Sequence, residues 1–283
     1  MSRPFSLYML VGNPVSGSLS PAIHNAAFRA LRMRALYVAV ETPRGYLSQV
    51  VSASRFWTKG FNVTIPYKVD VMSLLDRLDR SASLVEAVNT VVNRKGVLVG
   101  YNTDGEGAMR ALEKNLGPIS GMRVVVLGAG GAARAIVFSL VQKGCQVVVA
   151  NRTVSRAEAL AAILRKKLGA EIRIIGLRKR ELKKALSGSD LLINATSVGM
   201  LPHPEDTLVT ADMLSPEISV MDIVYKPLRT KLLREAERAG CRTVDGLQML
   251  VYQAALSFKL WTRRDPPLHT MMRAAKRAAE GRE

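Results

Sequence analysis

The side chains best suited to proton transfer stand directly after predicted buried strands. Asn62 and Thr64 are two residues apart, so in an extended chain they point to the same side, and Lys68 follows shortly after Pro66. A lysine is usually a solvated surface charge, but one after a strand end lined with Asn and Thr is also placed to project into a cleft. Asp104 precedes a predicted helix, where a carboxylate caps the helix as readily as it binds a ligand.

Three closely spaced serines form a second polar group. Ser16, Ser18 and Ser20 follow the predicted strand Leu7–Val11. Ser20 with Pro21 matches the N-cap and first turn of a helix, but capping does not account for the other two serines. Three hydroxyls at the C-terminal end of a strand favour binding of a polyhydroxylated or carboxylated small molecule.

A glycine turn between a strand and a helix predicts a dinucleotide site. The turn Gly128–Ala133 has the spacing G-x-G-x-x-A; it follows the β-branched run Arg123–Leu127 and opens into an apolar helix, and Gln146–Ala150 is a second buried strand. Strand, glycine turn, helix and strand make the βαβ unit that binds dinucleotides. The glycines allow a tight reversal and bring backbone N–H groups to a pyrophosphate. A purely structural glycine turn is the alternative.

The end of the second strand indicates which dinucleotide is bound. An NAD site usually has an Asp or Glu about twenty residues beyond the first glycine, on the ribose 2′-hydroxyl. Here Asn151, Arg152 and Thr153, with Arg156 following, include no carboxylate and offer two guanidinium groups suited to a phosphate. A solvated helix start with Thr153 as N-cap is the alternative. The sequence predicts NADP rather than NAD.

The elements that must position these residues alternate between strands and helices, which predicts an α/β protein of two domains. An N-terminal α/β substrate-binding and catalytic domain is predicted for residues 1–104. A linking helix and loop are predicted for residues 105–120. A Rossmann-type, doubly wound NADP-binding domain is predicted for residues 121–246. The C-terminal helices, within residues 247–283, are predicted to return to the N-terminal domain and complete it.

The predicted helix Leu247–Trp261 is apolar on nearly every face, so it should be buried. Gln253 in its middle then needs hydrogen-bond partners, which a ligand could supply. A last basic helix is predicted over about Leu268–Ala279.

Two local patterns in the N-terminal part give further expectations. A helix from about Pro43 to Ser54 should follow the strand Leu36–Val40. Ala87–Asn93 and Val97–Asn102 predict an antiparallel pair of strands, joined by a turn that ends in glycine.

The formal net charge of +18 is locally concentrated, with nine basic and two acidic residues between positions 165 and 184. Nucleic-acid binding would exploit such a stretch. The sequence has no zinc pattern, no aromatic-studded basic sheet and no arginine-rich tail, so solvated helix faces and attraction for anionic ligands explain the charge more simply. We expect no nucleic-acid partner.

Cys145 and Cys241 are isolated and lack metal-ligand spacing, so we expect reduced core thiols in a cytoplasmic protein and no metal site. No apolar run approaches the roughly twenty residues needed to cross a bilayer. The N-terminal segment lacks the apolar core of a signal peptide, and a membrane location is not expected.

In their order along the chain these motifs resemble those of the shikimate dehydrogenase family, over essentially the whole length. The matching segments are Ser18–Pro21, Asn62–Lys68, Ala87–Thr90, Asn102–Gly105, Gly128–Arg134, Asn151–Thr153, Asn194–Met200, Asp222–Pro227 and Met249–Gln253. The resemblance implies reversible reduction of 3-dehydroshikimate to shikimate by NADPH, on the shikimate pathway to chorismate and the aromatic amino acids. A monomer and a homodimer both stay open.

The resemblance also implies roles for individual side chains. Ser18 and Ser20 would bind the substrate carboxylate, and Lys68 with Asp104 would form the catalytic pair. The other residues assigned to the substrate are Asn62, Thr64, Asn89, Tyr225 and Gln253, with Asp104 contacting it as well. The residues assigned to the cofactor are Gly128, Ala129, Gly130, Gly131, Ala132, Asn151, Arg152, Thr153, Arg156, Thr196, Ser197, Ile223, Gly246 and Met249.

Two rival functions remain. A quinate/shikimate dehydrogenase of broader substrate or cofactor use is the nearest, although Arg152 and Arg156 argue against a preference for NAD. A non-catalytic NADPH-binding regulator would need the cofactor site but not the proton-transfer pair. Retention of both Lys68 and Asp104 opposes that function.

Overall fold

The computed structural model describes residues 5–281, so the ends of the predicted domain segments, residues 1–4 and 282–283, lie outside the described part. The chain forms two compact units. Of the described residues, 5–107 and 250–281 form one unit, and Ala108–Met249 forms the other. Within residues 5–281 no helix is long and apolar enough to cross a membrane.

The first unit contains a mixed six-stranded sheet. Its strands are β1 (Ser6–Gly12), β2 (Ala35–Glu41), β3 (Thr58–Val63), β4 (Arg77–Leu78), β5 (Thr90–Arg94) and β6 (Val97–Tyr101), in the order β2-β1-β3-β5-β6-β4. Strand β1 is parallel to β2 and β3, whereas β5 is antiparallel to β3 and β6. The ends of β1, β3 and β6 and the start of β5 therefore lie at one edge of this sheet. The polar segments of the N-terminal half follow or precede these strands, so they lie at that edge.

Four helices follow these strands in the first part of the chain: α1 (Ser20–Ala30), α2 (Leu47–Trp57), α3 (Arg80–Val85) and α4 (Asp104–Leu116). The core that the strands share with α2 and α3 contains Val11, Phe61, Val91 and Leu98, all fully buried. Strands β1 and β3 are buried at consecutive positions over most of their length, so both of their faces are covered.

Three expectations for this unit need correction. The helix predicted from Pro43 begins instead at Leu47, because Gly45 has a φ of +92°, which does not continue a helix. Ser20 is the first residue of α1 rather than its N-cap; Leu19 holds that position, and its side chain makes no capping hydrogen bond. The antiparallel pair is confirmed, but its first strand begins at Thr90 rather than at Ala87.

The second unit contains an all-parallel six-stranded sheet, which confirms the Rossmann-type prediction. Its strands are β7 (Arg123–Leu127), β8 (Gln146–Ala150), β9 (Arg173–Ile175), β10 (Leu191–Asn194), β11 (Ser219–Asp222) and β12 (Arg242–Val244), in the order β12-β11-β10-β7-β8-β9. The helices are α5 (Gly131–Gln142), α6 (Val154–Leu168), α7 (Lys179–Leu186) and α8 (Lys231–Arg238). Strand order reverses between β7 and β10, and ligands of such sheets bind at the carboxyl ends of the strands at this reversal.

The last two helices are α9 (Gly246–Thr262) and α10 (Leu268–Ala279). Val251, Ala254 and Phe258 of α9 are buried, as the apolar pattern predicted, and α10 packs against α1. The return of the C-terminal helices to the N-terminal unit is therefore confirmed.

Candidate active site

Lys68 and Asp104 are in contact in the first unit. Lys68 follows the turn after β3, and Asp104 is the first residue of α4, so both lie at the polar edge of the sheet. The Lys68 Nζ lies 2.5 Å from Asp104 Oδ2, and the two side chains are 16% and 6% exposed. The ammonium is thus oriented by a nearly buried carboxylate while part of it stays open to a ligand.

Asp104 does not serve as an N-cap. Its backbone N–H donates to Asn102 Oδ1 at 3.0 Å, and its carboxylate binds Lys68 and Asn89 instead. The capping alternative for this residue is therefore wrong, and the carboxylate is available for chemistry.

Asn89 links Asp104 to the helix α9. Its Oδ1 accepts from the backbone N–H of Thr103 at 2.8 Å, and since that group can only donate, the orientation of the amide is fixed. The Nδ2 then faces Asp104 Oδ1 at 2.8 Å and Gln253 Oε1 at 3.2 Å. Gln253 also donates to the carbonyl of Leu250 at 2.8 Å. Donors and acceptors from three elements converge here.

Asn62 is joined to this group through the main chain of Asn89. The side chain is buried, its Oδ1 accepts from the Tyr37 hydroxyl at 2.8 Å, and its Nδ2 lies within 3.1 Å of three acceptors. These acceptors are the Asn89 carbonyl, Thr90 Oγ1 and Ser257 Oγ. Protein groups thus occupy both ends of the amide, and one of them is the backbone carbonyl of Asn89.

Sequence reasoning missed the hydroxyl cluster beside this amide. Thr90, Thr103 and Ser257 are buried, and the Thr90 and Ser257 hydroxyls lie 2.7 Å apart. Ser257 stands four residues after Gln253 on α9, a spacing that places the two on one face of a helix. That spacing was the signal that could have identified it.

The serine loop follows β1 at the same edge of the sheet. Ser18 Oγ accepts from the backbone N–H of Ser20 at 3.2 Å, which orders the loop at the start of α1. Ser18 is half-buried and Ser20 is buried. Thr64 comes immediately after β3 and is half-buried. Its backbone N–H donates to the carbonyl oxygen of Val11 at 2.9 Å.

In the second unit the glycine turn leaves space where a phosphate would approach. Gly128 has a φ of +108°, and a Cβ there would lie 3.0 Å from the carbonyl oxygen of Ala195, so the fold itself requires this glycine. Gly130 has a φ of −78° and would meet nothing within 4 Å, so the protein does not require it. Gly130 is also the N-cap of α5 and provides no side-chain cap, which leaves the first N–H groups of the helix to an anion.

The other residues of this turn are Ala129, Gly131 and Ala132, and the last two are half-buried in the first turn of α5. These positions fit a dinucleotide whose pyrophosphate meets the start of α5.

The segment after β8 carries the basic groups. Arg152 and Arg156 are exposed, and the first turn of α6 contains no acidic residue. Asn151 Nδ2 donates to the carbonyl of Thr153 at 2.8 Å, which holds the segment in a turn. Thr153 occupies the N-cap position of α6, but its side chain makes no capping hydrogen bond. The arrangement fits a 2′-phosphate.

The loops after β10 and β11 carry the remaining predicted cofactor residues. Thr196 Oγ1 donates to Asn194 Oδ1 at 2.7 Å, and Ser197 is exposed. Ile223 and Tyr225 are half-buried in the loop after β11. Gly246 begins α9, and Met249 is buried one turn later. Asp222, which belongs to one of the matching segments but was given no role, is buried between these loops.

Family models match three parts of the chain. Residues 10–91 match the shikimate dehydrogenase substrate binding domain, residues 110–224 match shikimate / quinate 5-dehydrogenase, and residues 246–276 match the shikimate 5′-dehydrogenase C-terminal domain. The matches follow one another in the order of the motifs.

Individual relatives match over nearly the full length. A shikimate dehydrogenase (NADP(+)) of Methanopyrus kandleri is 49% identical over 94% of this chain and 93% of its own. A crystal structure of a shikimate dehydrogenase with NADP+ has a TM-score of 0.91 at 40% identity, covering 96% of this chain and 95% of its own. The Thermus thermophilus enzyme, solved with NADP(H) and shikimate, has a TM-score of 0.88 at 38% identity, covering 97% and 100%. With these matches over the two units described above, the chain belongs to the shikimate dehydrogenase family.

Proposed function

We propose that this protein is an NADP-dependent shikimate dehydrogenase, which reversibly reduces 3-dehydroshikimate to shikimate. The observation that carries the proposal is the contact between Lys68 and Asp104, joined through Asn89 to Gln253 at one polar edge of a sheet. A regulator that only senses NADPH would not need an ordered proton donor beside hydroxyl-binding groups.

In the proposed complex the polar edge of the first unit binds the substrate. The Ser18 and Ser20 hydroxyls bind the carboxylate, whose charge is far from the reacting carbon. The ring hydroxyls are bound by Thr64, Asn89, Asp104 and Gln253, with Tyr225 as a further contact. Asn62 acts through Asn89, because protein groups occupy both ends of its amide.

The catalytic role of Lys68 follows from where charge develops. NADPH supplies the hydride that reaches the carbonyl carbon, and negative charge then builds on the carbonyl oxygen. The Lys68 ammonium stabilises this charge and donates a proton to the oxygen. Asp104 orients the ammonium through its Oδ2 and keeps Oδ1 for Asn89. In the direction of oxidation the pair accepts the proton as a coupled unit.

The second unit holds NADP in the proposed complex. The N–H groups at the start of α5 bind the pyrophosphate, next to Gly128, Gly130 and Gly131. Arg152 and Arg156, with Asn151 and Thr153, bind the 2′-phosphate. Gly246 and Met249, with Tyr225, lie near the nicotinamide, and Thr196, Ser197 and Ile223 are further contacts with the cofactor.

A cytoplasmic location fits the state of the cysteines. Cys145 and Cys241 are free and buried, and burial raises the pKa of both thiols, so they are poor nucleophiles. We propose a cytoplasmic protein that acts as a monomer or a homodimer.

The test is the appearance of reduced nicotinamide absorbance with shikimate and NADP+, compared with NAD+ and with quinate. We expect shikimate with NADP+ to be the preferred pair. A folded sample that is silent with shikimate would refute the enzymatic function, and preference for quinate would reassign the substrate.

A further inference from the structure

Asp222 is a buried carboxylate in the second unit that the proposed chemistry does not use. It ends β11 and is 0% exposed. Burial raises its pKa to about 6, although three hydrogen bonds act in the opposite direction. Burying a carboxylate is costly unless its oxygens are well satisfied, so its partners indicate what it does.

Three donors from three different segments bind this carboxylate. Oδ1 accepts from Asn194 Nδ2 at 2.9 Å and from the backbone N–H of Val224 at 3.0 Å. Oδ2 accepts from the Thr230 hydroxyl at 2.7 Å, and Thr230 is the N-cap of α8. One side chain therefore joins the end of β10, the loop after β11 and the start of α8.

The first of these connections continues into the loop after β10. Asn194 Oδ1 accepts from the Thr196 backbone N–H at 3.1 Å and from its hydroxyl at 2.7 Å. This loop packs against the glycine turn, since a Cβ on Gly128 would lie 3.1 Å from Thr196 Cγ2. The position of Thr196 is thus coupled to Asp222 through a single amide.

The second connection fixes the loop after β11. The bond to the N–H of Val224 sets the chain direction immediately after Ile223. The carbonyl oxygen of Ile223 lies 2.4 Å from where a Cβ on Gly246 would stand, so a small shift of this loop changes a close contact. Both loops assigned to the cofactor therefore depend on the same carboxylate.

We propose that Asp222 is a positioning residue for NADP, which holds the loops 195–198 and 223–225 at the carboxyl edge of the sheet without touching the cofactor. The proposal rests on the proposed function, which assigns Thr196 and Ile223 to NADP. An Asn at position 222 would keep one oxygen for Asn194 and Val224, and its amide could donate to the Thr230 hydroxyl. An Ala would leave all three donors without this acceptor.

The experiment is a fluorescence titration of NADPH, without shikimate, on the full-length wild type and three variants. D222A should weaken NADPH binding about tenfold or more, the scale expected when more than one buried hydrogen bond is lost. D222N should stay within about threefold of wild type. D212A, which removes an exposed carboxylate of the same unit, is the matched control and should not differ.

Steady-state kinetics separate positioning from general destabilisation. D222A should raise the KM for NADP+ and leave the KM for shikimate within about twofold, whereas loss of folded protein alone would lower kcat at unchanged KM. Wild-type NADPH affinity in a folded D222A sample would overturn the proposal. Equal weakening in D222A and D222N would also overturn it, because the loss would then follow the charge and not the hydrogen-bond geometry.

If D222A does not fold, T230V and T230S replace it. T230V removes one of the three bonds and should weaken NADPH binding about threefold, and T230S should restore it. Unchanged binding in T230V would overturn the proposal. The titration contains no shikimate, so it measures NADPH binding independently of turnover. Absence of shikimate turnover would refute the proposed function, whereas unchanged NADPH binding in the variants would refute the role of Asp222.

Discussion

At the scale of single residues, substitution of Lys68 and substitution of Ser18 should change different kinetic parameters. Lys68→Ala should lower kcat about a hundredfold or more with little change in KM, the range expected for a lost acid–base group. Ser18→Ala should raise the KM for shikimate with a modest change in kcat, because the carboxylate changes little during hydride transfer. Both parameters follow from initial rates at varied shikimate. Near-native kcat in Lys68→Ala would make Lys68 a binding residue only.

Arg152 should decide between the two dinucleotides. Arg152→Ala should weaken NADP+ binding roughly ten- to a hundredfold and leave NAD+ binding unchanged, because only NADP+ carries the 2′-phosphate. Isothermal titration with both cofactors measures this. Lys166→Ala, which removes a cation from the last turn of α6, the helix that follows Arg152, is the control. Equal losses for NADP+ and NAD+ would assign Arg152 another role.

The polar residues at strand ends could be identified from the sequence, but the partners that bury their side chains could not. The period of two placed Asn62 and Thr64 on one side of the chain. It could not show that Tyr37 and Ser257, distant in sequence, would occupy both ends of the Asn62 amide. The contact between Lys68 and Asp104 likewise spans 36 residues and depends on how β3 and β6 are placed around β5.

At the scale of elements, predictions held where local signals agree. The helix α10 has the predicted bounds. The helix α6 is followed by Gly169, which adopts the left-handed conformation typical of helix ends. The strand β4, only two residues long, and the short helix α3 were not predicted, because neither is long enough to show a periodicity. Ser20 lies one position further into α1 than predicted, and the Ser18 hydroxyl accepts from its backbone N–H.

Two residues one turn apart on α9 should have different roles, one in substrate binding and one in stability. Gln253→Ala should raise the KM for shikimate about tenfold, since it removes a proposed hydroxyl partner. Ser257→Ala should leave KM unchanged and lower the free energy of unfolding by about 1 kcal/mol, because it removes a buried hydrogen-bonding hydroxyl. Initial rates and urea unfolding test both variants. Equal effects on KM would contradict the division.

At the scale of the whole molecule, two buried titratable groups should make stability depend on pH in opposite senses. His24 is fully buried between aromatic rings, with its ring 4.5 Å from Tyr37 and 5.1 Å from Trp261. Among the described residues, neither of its nitrogens has a hydrogen-bond partner. Burial lowers the pKa of His24 to about 3, from an ordinary value of 6.5. Burial raises the pKa of Asp222 from 3.8 to about 6, so its contribution to stability depends on pH in the opposite sense. This contribution is fully present below pH 3.8 and is lost as the pH rises through about 6.

The His24 effect can be isolated by comparing wild type with His24→Phe. Below pH 6.5 the unfolded chain binds a proton at His24 that the folded chain refuses until about pH 3, so acid should destabilise the wild type. The Asp222 contribution is the same in both proteins and cancels in their difference. Between pH 7.5 and 5.0 the free energy of unfolding of wild type relative to the variant should fall by about 2 kcal/mol.

Both tryptophans, Trp57 and Trp261, belong to the first unit with His24, so urea unfolding followed by tryptophan fluorescence reports on the relevant part. His269→Phe, which removes an exposed histidine of α10, is the control and should show no such change. If the difference between wild type and His24→Phe were the same at both pH values, His24 would bind its proton equally in the folded and unfolded chains. The aromatic cluster would then not exclude charge, and another group would have to cause any acid destabilisation of this unit.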